Sequence, residues 1–278
     1  MTFKLGVIKC GNIGCSPILE LLFDERADRE NIDAIVIGSG AKLNPEQCEN
    51  VTKLMVQQKP DLIFITSPNA SLPGPSNARK ILQDSGIPSI IVTDAPGKEA
   101  IEDCEAKGIG YFIVKADSMI GARRPFLDPI EMTIFNSQIL SILALTGVFK
   151  LIINETEKVI KQISSGATPE LPKIVINKKN AIEAAGYANP YARNKAMAAH
   201  EICKSVASIN VEGCFRTKGR ENYMPIVGAG HEILTAALNL AEEAREIEKS
   251  NNSVLREPHA PDGDLLTKRK FVSKGEKK

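Results

Sequence analysis

The sequence of 278 residues carries almost no net charge and no long hydrophobic run. Its 35 Lys and Arg residues against 34 Asp and Glu residues leave a formal charge of +1, so no overall field favours nucleic acid or an anionic membrane surface. No apolar run reaches the roughly 18 to 20 residues of a membrane span, and residues 1–4 lead into a strand pattern rather than a signal peptide. We expect a soluble, cytoplasmic protein whose recognition of anions is local.

Signatures of metal sites and of nucleophilic catalysis are also missing. The six cysteines never approach a C-x-x-C spacing, which excludes a zinc knuckle or a dithiol redox pair of that type. His200 and His231 are each followed by Glu, as at the start of a zincin helix, but the fifth positions are Lys204 and Thr235 rather than His. We expect no bound metal and assign both histidines to the core or to an interface.

The first half of the chain contains five short β-rich runs that alternate with helical patterns. Their near-continuous apolar character is typical of parallel strands that are covered on both faces by helices. The runs are residues 4–9, 34–37, 62–66, 89–93 and 111–115. This pattern predicts a Rossmann-like α/β domain.

Unusual segments rich in Gly and Pro follow four of these strands. They cover residues 11–14, 67–75, 94–98 and 116–125. Because ligands of open parallel sheets bind beyond the carboxyl ends of the strands, these loops predict a binding cleft.

The turn after the first strand resembles the dinucleotide fingerprint but departs from it. Gly11 and Gly14 are present, whereas Lys9 stands where the first glycine is expected. The second predicted strand runs into residues 38–42, which contain no acid to hold a ribose hydroxyl. The pattern counts against NAD and predicts a cofactor turn, with a purely structural tight turn as the alternative.

Helical patterns replace the alternation after Pro125. Asp128-Pro129-Ile130-Glu131 carries an N-cap, a Pro at the first helical position and a capping-box acid, and it opens a helix predicted to run to residue 149. Further helices are predicted at residues 154–163, 190–208 and 230–249, with a short strand at 174–176.

The tail carries a hairpin signal at Asp262-Gly263, between residues 254–261 and 265–271. We expect a two-stranded ribbon that docks on its own subunit or on a neighbour, followed by a frayed end at 273–278. The predicted organisation is an α/β coenzyme-binding domain at 1–126, a helix-bundle region at 127–252, and a C-terminal ribbon and tail at 253–278.

Six segments together resemble one known family. They are residues 9–14, 67–69, 94–97, 115–124, 189–195 and 256–263. In this order and at these intervals the set is similar to the methylenetetrahydromethanopterin dehydrogenase of methanogenic archaea that uses the 8-hydroxy-5-deazaflavin coenzyme, coenzyme F-420. The resemblance runs from the first strand to the tail.

This resemblance implies reversible hydride transfer between the methylene and methenyl forms of the pterin one-carbon carrier and the deazaflavin. It also implies a homo-oligomer, a hexamer, that uses no metal, no NAD and no permanently bound flavin. An α/β domain, a helix bundle and a C-terminal ribbon are the fold it implies, in agreement with the patterns above. An NAD(P)-dependent reductase and a non-catalytic nucleotide-binding regulatory protein are the alternative functions.

Hydride transfer between two bound rings requires mainly proximity and orientation. Oxidation of the carrier leaves a delocalised cation, which a nearby carboxylate would stabilise. Asp94, at the end of the fourth strand, is the first candidate for this catalytic role, and an N-cap for the following helix is its alternative. Asp117 and Glu131 are reserves.

The coenzyme is expected at the loops after the first, third and fourth strands. The predicted coenzyme-binding residues are Lys9, Gly11, Asn12, Ile13, Gly14, Ser67, Pro68, Asn69 and Ala95. Backbone N–H groups of the Gly turn would hold its pyrimidine end, with the Lys9 ammonium as a second donor or as a solvated strand end. A plain turn is the alternative for residues 67–69.

The carrier is expected beyond the fifth strand. The predicted substrate-binding residues are Asp117, Ser118, Arg123 and Arg124. The paired arginines suit the acidic groups of the coenzyme or the carrier, and a salt bridge between subunits is the alternative.

Overall fold

A computed structural model describes residues 2–23, 29–118 and 128–278, without the side chains of residues 17 and 18. Arg123 and Arg124 therefore lie outside the described residues. Six parallel strands form one sheet in the order β2-β1-β3-β4-β5-β6. The strands are β1 (Phe3–Lys9), β2 (Ile32–Gly38), β3 (Leu62–Ser67), β4 (Ser89–Asp94), β5 (Gly110–Val114) and β6 (Lys173–Ile176). All five predicted strands are confirmed, and the short run at 174–176 becomes the sixth.

Helices cover both faces of the sheet. The first four are α1 (Cys15–Phe23), α2 (Pro45–Gln57), α3 (Pro73–Ser85) and α4 (Ile101–Ala106), and a 3₁₀ helix (Ala95–Ala100) precedes α4. Alternate strand residues serve separate cores, because successive side chains of a strand point to opposite faces. Val7 and Phe64 pack in one buried cluster, whereas Ile8 and Ile65 pack in the other.

In the part of the chain that the structure describes after β5, residues 128–278, five α-helices are present. They are α5 (Pro129–Leu145), α6 (Val148–Ser164), α7 (Lys178–Ala185), α8 (Pro190–Val211) and α9 (Arg220–Ser250). The Asp128 cap is confirmed, since its Oδ1 accepts hydrogen bonds from the backbone N–H groups of Ile130 (2.7 Å) and Glu131 (2.9 Å). A π-helical turn (Glu212–Arg216) lies between α8 and α9.

The prediction of one helix through residue 149 is wrong, because the chain breaks between α5 and α6. Gly147 adopts a left-handed φ of 87°, and a Cβ there would lie 2.2 Å from the carbonyl oxygen of Ala181. A residue without a Cβ is required at this position, so the backbone turns and starts a second helix. α9 also begins ten residues earlier than predicted, at Arg220 instead of residue 230, and includes Pro225.

The C-terminal tail folds back as predicted around Asp262-Gly263. Antiparallel bridges join Arg256 to Lys268 and His259 to Leu265. The expectation of a frayed end is wrong, because β8 (Glu276–Lys277) pairs with β7 (Leu266–Thr267) in a two-stranded antiparallel sheet.

The ribbon is held on its own subunit by a buried charged cluster. Glu157 Oε1 lies 2.8 Å from His259 Nε2 and 3.2 Å from Arg29 Nη2. All three side chains are buried. The tail therefore contacts α6 and the segment before β2 through buried, paired groups, and the exposed Lys278 adds a hydrogen bond to Asn154 on α6 at 3.0 Å.

Within the described ranges, no single helix has the length and apolar character to cross a membrane. Only the pair formed by α5 and α6, bent by 62°, would meet that requirement together.

The strand β6, from the region that follows the fifth strand, completes the sheet beside β5. The division into regions at 126 and 252 stays a prediction.

Candidate active-site cleft

The loops after β1, β3, β4 and β5 lie side by side at the carboxyl edge of the sheet, because these four strands are neighbours. The strand order changes direction between β1 and β3, because β2 lies on one side of β1 and β3 with the later strands lies on the other. Ligands of open parallel sheets bind at such a switch point. Strand order alone therefore brings the four Gly- and Pro-rich segments to one edge.

The Gly turn after β1 is held by contacts within the chain. Gly11 has a φ of 78°, and its N–H donates a hydrogen bond to Ser39 Oγ at 3.2 Å. Asn12 is exposed at the tip of the turn. Lys9 forms an ion pair with Glu20 on α1, so its ammonium has a partner within the chain.

Asp117, after β5, caps the N-terminus of α1. Its Oδ1 accepts a hydrogen bond from Gly14 N at 2.9 Å, and its Oδ2 accepts one from Cys15 N at 2.8 Å. The carboxyl group is buried, and loss of hydration raises its pKa although these two N–H groups favour the ionised form. Asp117 thus joins the loop after β5 to the Gly turn.

Asp94 lies at the end of β4 and is buried. It is 2 % exposed, and neither carboxyl oxygen has a hydrogen-bond partner within the described part of the chain. Asp94 stands at the N-cap position of the 3₁₀ helix that follows it, as its alternative reading predicted, but its side chain makes no capping hydrogen bond. Loss of hydration, followed by the charge of Asp117, raises the pKa of Asp94 well above its usual range.

The loop after β3 is a tight polar turn. Ser67 Oγ accepts a hydrogen bond from Asn69 N at 3.3 Å, and Asn69 Oδ1 accepts from the N–H and the hydroxyl of Ser71 at 3.0 and 2.6 Å. Thr93 Oγ1 accepts from Ala70 N at 3.1 Å, which ties this turn to β4. Pro68 and Asn69 remain half-buried on a preorganised loop.

A cleft of about 530 Å³ opens over the ends of β4 and β5. Asp94, Ala95 and Asp117, three of the candidates from the sequence, lie in its wall. The cleft is also lined by basic side chains that the sequence analysis did not select. They are Lys98, Lys115, Lys204 and Arg216.

The other sequence candidates that the structure describes lie outside the wall of this cleft. Ser118 is buried beside the Cys203 thiol of α8. Glu131 lies in the first turn of α5, where its N–H serves the Asp128 cap. The coenzyme candidates on the loops after β1 and β3 occupy the neighbouring part of the same edge.

No histidine of the described residues lies in the wall of this cleft. His200 is fully buried in α8, and loss of hydration lowers its pKa to about 4, so the ring is neutral. The ring of His231 lies 4.3 Å from that of Phe135, centroid to centroid. Among residues 2–23, 29–118 and 128–278, no three His, Cys, Asp or Glu side chains are grouped to hold a metal ion.

Comparison with known proteins assigns the chain to a family. The family model described as methylene-5,6,7,8-tetrahydromethanopterin dehydrogenase matches residues 3–276. The chain belongs to this family.

Individual relatives agree over their full length. The chain is 51% identical over 276 residues to the F420-dependent methylenetetrahydromethanopterin dehydrogenase of Methanothermobacter marburgensis, covering 99% of this chain and 100% of that protein. It is 49% identical over 277 residues to that of Methanocaldococcus jannaschii, with the same coverage.

A solved structure matches with a TM-score of 0.96 and 45% identity, over 99% of this chain and 100% of the other. That protein is an F420-dependent methylene-tetrahydromethanopterin dehydrogenase in complex with methylene-tetrahydromethanopterin and coenzyme F420.

Proposed function

We propose that the cleft between Asp94 and Asp117 is where this chain performs the reaction of its family. The reaction is reversible hydride transfer between methylene-tetrahydromethanopterin and coenzyme F420. The buried carboxyl group of Asp94 carries the assignment to this cleft, because both of its oxygens lack a partner within the described residues. A buried polar group of this kind destabilises the free protein and suits a bound ligand.

Asp94 stabilises the charge that develops on the carrier. Removal of a hydride leaves a cation delocalised over the two nitrogens that flank the one-carbon unit. Burial and the charge of Asp117 raise the pKa of Asp94 in the free protein, and an adjacent cation stabilises the ionised carboxylate. The interaction is therefore strongest after the hydride has begun to move, which is the condition for lowering the barrier.

The remaining residues position the two rings. Coenzyme F420 supplies the hydride acceptor, and the rest of the work is orientation. We assign its binding to the loops after β1, β3 and β4, through Lys9, Gly11, Asn12, Ile13, Gly14, Ser67, Pro68, Asn69 and Ala95. Since the N–H groups of Gly11 and Gly14 have partners within the chain, exposed Asn12 is the first contact on the Gly turn.

The carrier is assigned to the β5 side of the cleft. Asp117 and Ser118 follow β5 directly, and Arg123 and Arg124 stay a prediction from the sequence. In this proposal the coenzyme binds near β1 and β3 and the carrier binds near β5. Asp94 lies on β4, which is between β3 and β5 in the sheet.

The chain is further proposed to act as a cytoplasmic homo-oligomer. Apolar side chains on the outer face of α5 and on the π-helical turn support this, since Ile130 is 67% and Phe215 is 72% exposed. Large exposed apolar side chains that cluster on a helix are typical of subunit contacts. Analytical ultracentrifugation tests this part, and a monomer at micromolar concentration would refute it.

The activity is tested by mixing the purified protein anaerobically with oxidised coenzyme F420 and methylene-tetrahydromethanopterin. Loss of the long-wavelength absorbance of the coenzyme is the expected result. NADP in place of coenzyme F420 is the control. Turnover with NADP alone would indicate the reductase alternative, and ligand binding without turnover would indicate a regulatory protein.

A further inference from the structure

Four cationic side chains from four separate elements converge on the mouth of the cleft. Lys98 comes from the 3₁₀ helix after β4, Lys115 from the end of β5, Lys204 from α8 and Arg216 from the π-helical turn. The whole chain has a formal charge of only +1, so this group of positive charges is a local feature of the cleft.

These cations are only partly neutralised by the chain itself. Lys204 Nζ lies 3.1 Å from Glu201 Oε2, and Lys178 shares that carboxylate at 3.9 Å. Within the described ranges, no ion pair links Lys98, Lys115 or Arg216 to a carboxylate. Partial burial, followed by the proximity of Lys98 and Lys204, lowers the pKa of Lys115, and the nearby Glu201 carboxylate offsets this only in part.

The π-helical turn supplies the fourth cation. It replaces the last regular turn of α8 and brings Arg216 to the same opening as Ser208 and Val211. Single π turns are rare and occur frequently at functional sites. The Cys203 thiol donates to Ala116 O at 3.0 Å, which fixes α8 against the loop after β5 and so holds the two sides of the opening together.

We propose that Lys98, Lys115, Lys204 and Arg216 form a binding subsite for an anionic group, a phosphate ester or a pair of carboxylates, on a ligand whose ring lies beside Asp94. This inference rests on the proposed function for the identity of the ring. Fixed ammonium and guanidinium groups bind such anions through charge-assisted hydrogen bonds. The cleft then has two chemically different ends, an acidic inner wall and a basic mouth.

The subsite is tested first without turnover. Inorganic pyrophosphate is titrated into the protein and into the variants Lys115→Gln and Arg216→Gln by isothermal calorimetry at low and at 0.5 M salt. Binding to the original protein that weakens roughly tenfold in each variant, and weakens with salt, is the expected result. Lys195→Gln is the matched control, because Lys195 lies on α8 and pairs with Glu243 at 2.5 Å.

Steady-state kinetics then identify the source of the anion. A higher KM for coenzyme F420 in Lys115→Gln and Arg216→Gln, with kcat preserved, supports the subsite and assigns it to the coenzyme. A higher KM for the one-carbon carrier alone supports it and assigns it to the carrier. Pyrophosphate binding and both KM values unchanged in the two variants, or changed equally in Lys195→Gln, would overturn the inference.

The two proposals fail in different experiments. If pyrophosphate binding behaves as expected while no hydride transfer is detected, the proposed function is wrong and the anion subsite stands. If turnover is normal and the variants bind pyrophosphate as the original protein does, the anion subsite is wrong. The exposed position of Arg216 makes its variant the one least sensitive to folding.

Discussion

Gly14 and Asp117 approach each other so closely that a Cβ on residue 14 would lie 2.7 Å from Asp117 Oδ1. The same Cβ would lie 2.8 Å from Ile139 Cγ2 on α5. The glycine therefore permits a carboxylate to cap α1 at the point where the α/β domain meets the helical region. The close approach of the Asp117 carboxylate explains why residue 14 is a glycine, and no bound nucleotide is needed to explain it.

Gly14→Ala is expected to destabilise the protein by about 1–3 kcal/mol, because the Asp117 cap must move away from two N–H groups. Urea unfolding measures the change. Asp117→Asn should cost a similar amount through the same contact, so the double variant is expected to lose less than the sum of the two. Strict additivity would show that the residues act separately.

Asp94→Asn is expected to lower kcat by roughly a hundredfold, because a group that stabilises developing charge is removed without changing size. The KM values should change little. Stopped-flow reduction of coenzyme F420 measures the effect, with Asp84→Asn at an exposed helical position as control. Full kcat in the Asp94→Asn variant would remove Asp94 from the mechanism.

The same Asp94→Asn variant is expected to be more stable than the original protein near pH 7. Since the pKa of Asp94 is raised in the folded state, the unfolded chain loses this proton at about pH 4 while the folded protein keeps it. Stability of the original protein therefore falls relative to the variant as the pH rises above about 4. Thermal melts of both proteins at pH 4 and pH 7 check the sign. A difference that is constant with pH would contradict it.

Glu157→Gln is expected to destabilise the protein by about 3 kcal/mol, because it leaves the buried Arg29 guanidinium without its charged partner. The tail should also become sensitive to protease, since His259 loses the same carboxylate. Glu155→Gln is the control. Its pair with Lys158, 2.8 Å apart, includes a well-exposed ammonium, so a change of about 0.5 kcal/mol or less is expected.

Asn69→Ala is expected to raise the KM for coenzyme F420 by roughly tenfold and leave kcat unchanged, if its amide contacts the coenzyme. Ser71→Ala is the matched variant, because the Ser71 hydroxyl only holds Asn69 Oδ1 within the turn. Initial rates over a range of coenzyme concentrations measure both. Equal effects of the two variants would indicate that Asn69 only shapes the turn.

The parallel sheet was predictable because buried strands produce short apolar runs that turn residues interrupt. Leu62–Ser67 and Ser89–Asp94 are buried at every position and stand out in the sequence. The break at Gly147 was missed, because apolar residues continue across it without a change of period. The start of α9 was missed because Pro225 normally marks a helix boundary, whereas here it lies inside the helix.

Half of the candidate site could also be predicted. Asp94 and Asp117 follow strands, and the carboxyl ends of parallel strands share an edge, so strand order alone brings them near each other. Lys204 and Arg216 carried no comparable signal. A lysine in a helix and an arginine after one are ordinary surface residues until α8 packs beside β5.

By itself, the amino-acid sequence determined the alternation of strands and helices, the family, and the loops to which we assign the chemistry, since each depends on local pattern or on ordered motifs. Only the tertiary structure decided that Asp94 is buried with no partner among the described residues, that Asp117 is used as a helix cap, and that four cations share one opening. The burial of a side chain and the distance between charges depend on which distant segments pack together. The local sequence pattern does not determine that packing.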